Sequence, residues 1–201
     1  MAFYFNHRFS EDLDFFTQKY IMSDSGKIMR YIKKETGFSY QLDAVQDDPR
    51  LIPMKVYFME LKHNCVLKID FVRDFTENIN DIKDGCHSVE DIYLRKIRAA
   101  IGSQTKDSAV GRGMATGRQS VKDLFDLYYL SSQYKTLFKF SFEYFSYNEI
   151  GRLDAWYRGF DRTELKFSLL DLVPGVDVAK ILKYMDGQIF KKIPAKLREG
   201  Q

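Results

Sequence analysis

The sequence has few of the residues that cross-link a small protein. It contains only two cysteines and three histidines. Cys65 and Cys86 are far apart and no histidine pattern accompanies them, which excludes the usual zinc motifs and a disulfide framework. Cys65 opens the apolar run Cys65-Val66-Leu67, and we expect its side chain to be a small buried hydrophobe.

The sequence also lacks a long hydrophobic run and an excess of one charge. No apolar stretch approaches the roughly 20 residues needed to span a bilayer, and no signal-peptide pattern opens the chain. The 31 Lys and Arg and the 28 Asp and Glu are interspersed, so the net charge of +3 does not by itself indicate nucleic acid as a partner. We therefore expect a cytoplasmic protein that does not enter a membrane.

The first third of the chain has the pattern of a small sheet. Leu13–Thr17 is a short predicted strand, and the helix that follows Ser23 should end at Gly37 in the left-handed conformation. Three segments rich in aromatic and β-branched residues follow, separated by short turns, which favours an antiparallel meander beside the first strand. These predicted strands are Phe38–Val45, Met54–Leu61 and Val66–Val72.

From Ser88 onward the hydrophobic period changes to that of helices. Ser88 is a predicted N-cap with Asp91 three residues later, and this helix should reach Ile101. The polar segment Gly102–Gly117 is a predicted loop, and helical patterns continue after it. The fold class is therefore α+β, with a small sheet in residues 1–75 and a helical domain in residues 76–201. The predicted helices are Gln119–Ser131, Tyr134–Phe145, Asn148–Gly159, Asp161–Leu172 and Val176–Phe190.

Three aspartates are candidates for a metal site. Asp12 and Asp14 are two residues apart at the start of a predicted strand, so both side chains should project from one face. Asp70 lies between apolar residues of another strand, where a carboxylate costs free energy unless it is paired or ligates a metal. Two acids at this spacing are common in loops and helix caps, but three from adjacent strands suit two-metal phosphoryl transfer with Mg²⁺.

The segment around the first two aspartates resembles a known motif. His7–Phe15 resembles the R-F-S-x-D-L-D-F segment of the AbiEii/AbiGii toxin family and its MenT-type relatives. Val89–Ala100 is similar to that family's E-D-I-L-x-x-K-L-x-A-L helix, and Arg118–Leu127 is similar to its R-x-K-x-R-D-L-Y-D-L helix. The motifs occur in the family's order and cover about residues 1 to 132. The resemblance implies a small mixed nucleotidyltransferase-like sheet, followed by a helical half, and a role in toxin–antitoxin or abortive infection systems.

The resemblance also implies roles for individual residues. Lys96 would lie beside the nucleotide phosphates, and Asp123 would be the family's helix aspartate, with Asp126 one turn further on the same face. On spacing alone, Lys96 would be an exposed helix cation whose loss costs little stability, and Asp123 an acid favoured by the helix dipole. The implied catalytic set is Asp12, Asp14, Asp70, Lys96 and Asp123, with Asp12, Asp14 and Asp70 as metal ligands. The implied substrate-binding set is Arg8, Ser10, Arg118 and Asp126.

The sequence departs from the family pattern in two respects. Ser120 stands where the family has Lys, and Lys122 stands where it has Arg, which keeps the charge but loses a bidentate donor. The family also has a glycine-containing turn before the acidic pair, where backbone N–H groups hold the nucleotide phosphates. Only Met1–His7 precede the motif, they contain no glycine, and Met1–Phe5 resembles the tail of the helix after that turn. We expect either a sequence that begins late or a reduced member with weak catalysis.

Three functions remain open at this point. The resemblance implies a toxin that transfers a nucleoside monophosphate from an NTP to an acceptor such as tRNA, with Mg²⁺ or Mn²⁺ as cofactor and a cognate antitoxin as partner. The alternatives are a non-catalytic interaction protein that keeps the fold and binds an antitoxin or nucleic acid, and an unrelated structural α+β protein. For the catalytic function, we expect the three strand aspartates to face one cleft, with Lys96 and Asp123 meeting across it and the loop Gly111–Gly117 closing over substrate.

Overall fold

The chain consists of two compact units. The computed structural model describes residues 1–10, 12–18, 22–48, 51–62, 65–102 and 119–193. One unit, here called the sheet unit, is Phe9–Glu77; the other, the helical unit, combines Met1–Arg8 with Asn78–Gln201. The N-terminal segment Met1–Arg8, which the sequence pattern groups with the sheet, therefore clusters with the helices.

Among the residues that the structure describes, the sheet unit contains a mixed sheet and a helix. Its elements are β1 (Asp12–Thr17), α2 (Met22–Thr36), β2 (Tyr40–Gln46), β3 (Met54–Glu60) and β4 (Val66–Arg73). The strands lie in the order β1-β4-β3-β2. Strands β2, β3 and β4 form the predicted antiparallel meander, and β1 joins it as a parallel neighbour of β4. The α+β class and the mixed sheet are thus confirmed.

Alternation along the strands places apolar side chains on one face of this sheet, where they pack against α2. Met29 of α2 is fully buried among Tyr57 of β3 and Ile69 and Phe71 of β4. Phe15 of β1 stacks on Phe71 with 5.0 Å between the ring centroids. Burial of each such side chain contributes roughly 1.5–3 kcal/mol. Helix α2 ends at Gly37, whose φ of +75° confirms the predicted left-handed residue.

The helical unit is built from short helices around a second core. The described helices are α1 (Ala2–Phe5), α3 (Val89–Ile101), α4 (Val121–Gln133), α5 (Leu137–Tyr144), α6 (Tyr147–Arg158), α7 (Arg162–Leu172) and α8 (Val178–Asp186), which continues as a π-helix over Gly187–Lys192. Tyr93 of α3 stacks on Phe140 of α5 with 4.1 Å between the ring centroids, and both side chains are fully buried. Ser88 is the N-cap of α3, as predicted, and its hydroxyl oxygen accepts the backbone N–H of Asp91.

Three further expectations concern Cys65, membrane-spanning segments and the loop after α3. The prediction that Cys65 is buried is wrong: the residue is exposed because it precedes β4, which begins at Val66. In the parts of the chain that the structure describes, no helix combines the length and the apolar character that crossing a membrane requires. Of the predicted loop Gly102–Gly117, only Gly102 lies within the described residues.

Candidate functional site

The three strand aspartates lie on one face of the sheet. In the parallel pairing of β1 with β4, Asp12 is aligned with Lys68 and Asp14 with Asp70. Aligned residues of neighbouring strands point to the same side, and residues two apart in a strand do so as well. This carboxylate face, defined by Asp12, Asp14, Asp70 and Lys68, is therefore opposite the face that packs on α2. A side chain of Asp70 on the α2 face would have contradicted the predicted site, and the observed register places it on the face of Asp12 and Asp14 instead.

Asp70 is the least exposed carboxylate of this face. Its Oδ2 atom lies 2.5 Å from the ammonium of Lys68, and the two side chains are 13% and 37% exposed, respectively. Among the residues that the structure describes, its other oxygen, Oδ1, is buried without a hydrogen-bond partner. A buried carboxylate oxygen without a donor is unfavourable in the protein alone and would be stabilised by a cation.

The chemistry of these positions fits a divalent cation. Carboxylate oxygens are the ligands that Mg²⁺ prefers, and Asp70 Oδ1 is an oxygen with no other described partner. In their present orientation, however, no three His, Cys, Asp or Glu side chains among the described residues are grouped closely enough to hold a metal ion. The ion pair with Lys68 directs Oδ2 of Asp70 toward the ammonium. The metal site stays a prediction.

A second charged cluster lies in the helical unit. Lys96 of α3 extends between two aspartates of α4, with its Nζ 3.0 Å from Asp123 Oδ1 and 2.9 Å from Asp126 Oδ2. Both carboxylates are fully buried, and the Lys96 side chain is 24% exposed. Asp123 and Asp126 are three positions apart and so share one face of α4. The predicted contact between Lys96 and Asp123 is present, whereas the interpretation of Lys96 as an exposed cation is wrong.

Asp126 also binds the N-terminal segment of the chain. Arg8 donates from Nε to Oδ1 at 2.8 Å and from Nη2 to Oδ2 at 3.0 Å, which is a bidentate pair. His7 Nε2 lies 2.7 Å from Oδ1, and its ring is parallel to that of Phe125, with centroids 5.9 Å apart. These contacts explain why Met1–Arg8 belongs to the helical unit. His7, Arg8, Lys96, Asp123 and Asp126 together form what we call the lysine cluster.

Electrostatics keeps the lysine cluster ionised. Burial alone would raise the pKa of Asp126, but hydrogen bonds from His7 and Arg8 and the charge of Lys96 outweigh burial and hold that pKa well below its ordinary value. Burial alone would lower the pKa of Lys96, but the charges of Asp126 and Asp123 outweigh it and raise that pKa. Lys96 is therefore a fixed ammonium at neutral pH.

The remaining predicted site residues have local contacts. Ser10 is exposed and donates its hydroxyl to the carbonyl oxygen of Asp12 at 3.3 Å. Arg8 and Asp126 bind each other, so both carboxylate oxygens of Asp126 and two of the guanidinium N–H groups of Arg8 are already engaged. Arg118 lies outside the described residues. The substrate-binding roles of these residues stay predictions, as does the expected proximity of Lys96 to the carboxylate face.

The sequence did not predict two residues of these clusters, Lys68 and His7, or the full set of contacts of Asp91 before α3. Lys68 was detectable, because strand alternation alone places it on the face of Asp70. His7 carried no signal apart from its place beside Arg8. Asp91 was predicted only as a capping residue, yet its fully buried carboxylate also accepts the backbone N–H of Ile79 at 2.6 Å. That second contact depends on the path of the chain before α3, which no spacing reveals.

Comparison with known proteins identifies the family. The family described as "Nucleotidyl transferase AbiEii toxin, Type IV TA system" matches residues 1–146, which is most of the chain. This range includes both the carboxylate face and the lysine cluster. No curated protein matches the chain. The chain belongs to the AbiEii family of nucleotidyltransferase-like toxins of type IV toxin–antitoxin systems.

Proposed function

We propose that this toxin transfers a nucleoside monophosphate from an NTP to a hydroxyl group of an acceptor, with tRNA as the acceptor class. The observation that carries the proposal is the alignment of β1 with β4, which puts Asp12, Asp14 and Asp70 side by side on one face. Nucleotidyl transfer needs such carboxylates because the reacting phosphate and its magnesium ions are held through oxygen ligands. The proposed reaction takes place in the cytoplasm.

In this proposal the carboxylates of the sheet hold the metal. Asp12 and Asp14 would be the principal ligands of Mg²⁺ or Mn²⁺, and Asp70 would contribute its buried Oδ1 and act on the attacking hydroxyl. The bound metal would neutralise the charge that develops on the transferred phosphoryl group. The sheet fixes the backbone position of Asp70, because β4 is paired on both sides, with β1 and with β3.

Lys96 is the cation that we assign to the nucleotide phosphates. The buried carboxylates of Asp123 and Asp126 hold this ammonium in one place before substrate binds. A charge fixed in advance stabilises a transition state better than a mobile one. Asp123 and Asp126 then act through Lys96 by positioning it. The substrate contacts assigned to Arg8, Ser10 and Arg118 belong to the same proposal.

The second candidate function is a non-catalytic interaction protein that keeps the fold. It is favoured by one observation, namely that the ammonium groups of Lys68 and Lys96 are both engaged by carboxylates of the protein itself. Membership in a type IV toxin–antitoxin family implies an antitoxin partner under either function. Nucleic acid is the other candidate ligand of a non-catalytic protein.

A transfer assay separates the two functions. The chain is incubated with each α-³²P-labelled NTP, Mg²⁺ or Mn²⁺, and total tRNA, and label transferred to RNA is measured on a denaturing gel. We expect transfer by the wild type and its loss in Asp14→Asn. Asp43→Asn removes an exposed carboxylate from the edge strand β2 and should leave transfer unchanged. Absence of transfer by the wild type with all NTPs and both metals would favour the non-catalytic function, and an active Asp14→Asn would refute the carboxylate mechanism.

A further inference from the structure

We infer that Lys68 is an internal counter-ion of the predicted metal site, which holds the Asp70 carboxylate until a divalent cation displaces it. The inference rests on the proposed function and adds a residue that the family motifs do not include. Its basis is the ion pair of 2.5 Å between Lys68 Nζ and Asp70 Oδ2, on the face that also carries Asp12 and Asp14. Lys68 thus already neutralises this carboxylate through Oδ2, next to the Oδ1 atom that a metal would bind.

A metal ion bound to Asp70 Oδ1 would weaken the ion pair between Lys68 and Oδ2. A divalent cation on Asp70 would lie within a few ångströms of the ammonium, and two positive charges at that separation repel strongly in partly buried surroundings. Asp70 cannot retreat, because it is in the interior of the sheet. Lys68 can move, because it is 37% exposed and its charge sits at the end of a flexible four-carbon stem. Metal binding should therefore move Lys68 away from Asp70.

The displaced ammonium of Lys68 could then bind a phosphate group of the nucleotide. It stays on the carboxylate face, where a nucleotide brings phosphate groups that can replace Asp70 as its partner. A metal ion that binds alone must break the ion pair without compensation, whereas a metal ion that binds with nucleotide provides the lysine with a new partner. Metal and nucleotide should consequently bind cooperatively, and by linkage each should raise the affinity for the other by the same factor.

The test measures Mn²⁺ binding by electron paramagnetic resonance, with and without a non-hydrolysable NTP analogue. For Lys68→Gln without nucleotide, we expect at least about fivefold tighter Mn²⁺ binding than for the wild type, and a smaller further gain when the analogue is added. Lys68→Arg keeps the charge and should bind Mn²⁺ no more tightly than the wild type. Lys55→Gln is the matched control: Lys55 is aligned with Phe71, on the opposite face, and its loss changes the net charge equally.

The outcomes are distinguishable. Unchanged or weaker Mn²⁺ binding by a folded Lys68→Gln, with binding lost in Asp14→Asn, would overturn the role of Lys68 and leave the metal site intact. Equal gains in Lys68→Gln and Lys55→Gln would show a general charge effect and would also overturn it. Absence of Mn²⁺ binding by the wild type, with and without nucleotide, would overturn the proposed function together with this inference. Circular dichroism of each variant establishes that it is folded.

Discussion

Replacement of Lys96 by alanine tests the lysine cluster most directly. Its ammonium lies within 3.0 Å of two carboxylates that are fully buried. Removing one partner of a buried ion pair costs about 3–5 kcal/mol, because the remaining charge is left in a medium of low polarity. Asp126 keeps His7 and Arg8 as partners, so we expect the lower end of that range for Lys96→Ala. We also expect toxicity to be lost, because the positioned cation is gone.

The measurement can be confined to the helical unit. Trp156 is the single tryptophan of the chain and is 3% exposed in the core of that unit, so its fluorescence during urea unfolding reports on these helices. Lys139→Ala is the control, because Lys139 is an exposed lysine in the first turn of α5 and its replacement should change the free energy of unfolding by less than about 0.5 kcal/mol. If Lys96→Ala destabilises the unit by less than about 1 kcal/mol, the buried-pair reasoning is refuted.

The remaining predictions concern the partners of Lys96 and the predicted metal site. Ionised Asp126 stabilises the folded state above the ordinary carboxylate pKa of 3.8, and this stability is lost as pH falls toward the lower pKa of the folded state. In urea unfolding below about pH 4, the free energy of unfolding of Asp126→Asn should therefore decrease less with falling pH than that of the wild type. Arg8→Lys should cost about 1.5–3 kcal/mol in the same urea assay, because a lysine cannot reproduce the bidentate contact; a cost below 0.5 kcal/mol would contradict this. Asp14→Asn should abolish the increase in thermal midpoint that Mn²⁺ confers on the wild type, measured by differential scanning fluorimetry, and an equal increase in both proteins would contradict metal binding at Asp14.

The sequence predicted the carboxylate face well because a strand has a simple period. Asp12 and Asp14 share a face through their spacing alone, and the apolar neighbours of Asp70 identify a strand with one buried side. The same alternation would have identified Lys68. What the spacing could not supply is the register between β1 and β4, which aligns Asp14 with Asp70 and depends on long-range pairing.

The lysine cluster was predicted only in part. Motif order indicated that Lys96 and Asp123 act together, although the residues between α3 and α4 separate them in the chain. The burial of Asp123 and the partial burial of Lys96 were not predicted, because a charged residue on a helix is solvated unless another segment packs over it. Here α4 presents Asp123 and Asp126 to α3, and the N-terminal segment adds Arg8 and His7 from more than a hundred residues away in sequence.

By itself, the sequence determined the order of helices and strands, the N-cap at Ser88, the left-handed Gly37 and the family, since each depends on residues close together in the chain. The tertiary structure decided which charges meet. It enclosed Lys96 between two aspartates and joined Met1–Arg8 to the helical unit. The physical reason is that local propensities act over a few residues, whereas ion pairing and burial act between segments that only packing brings together.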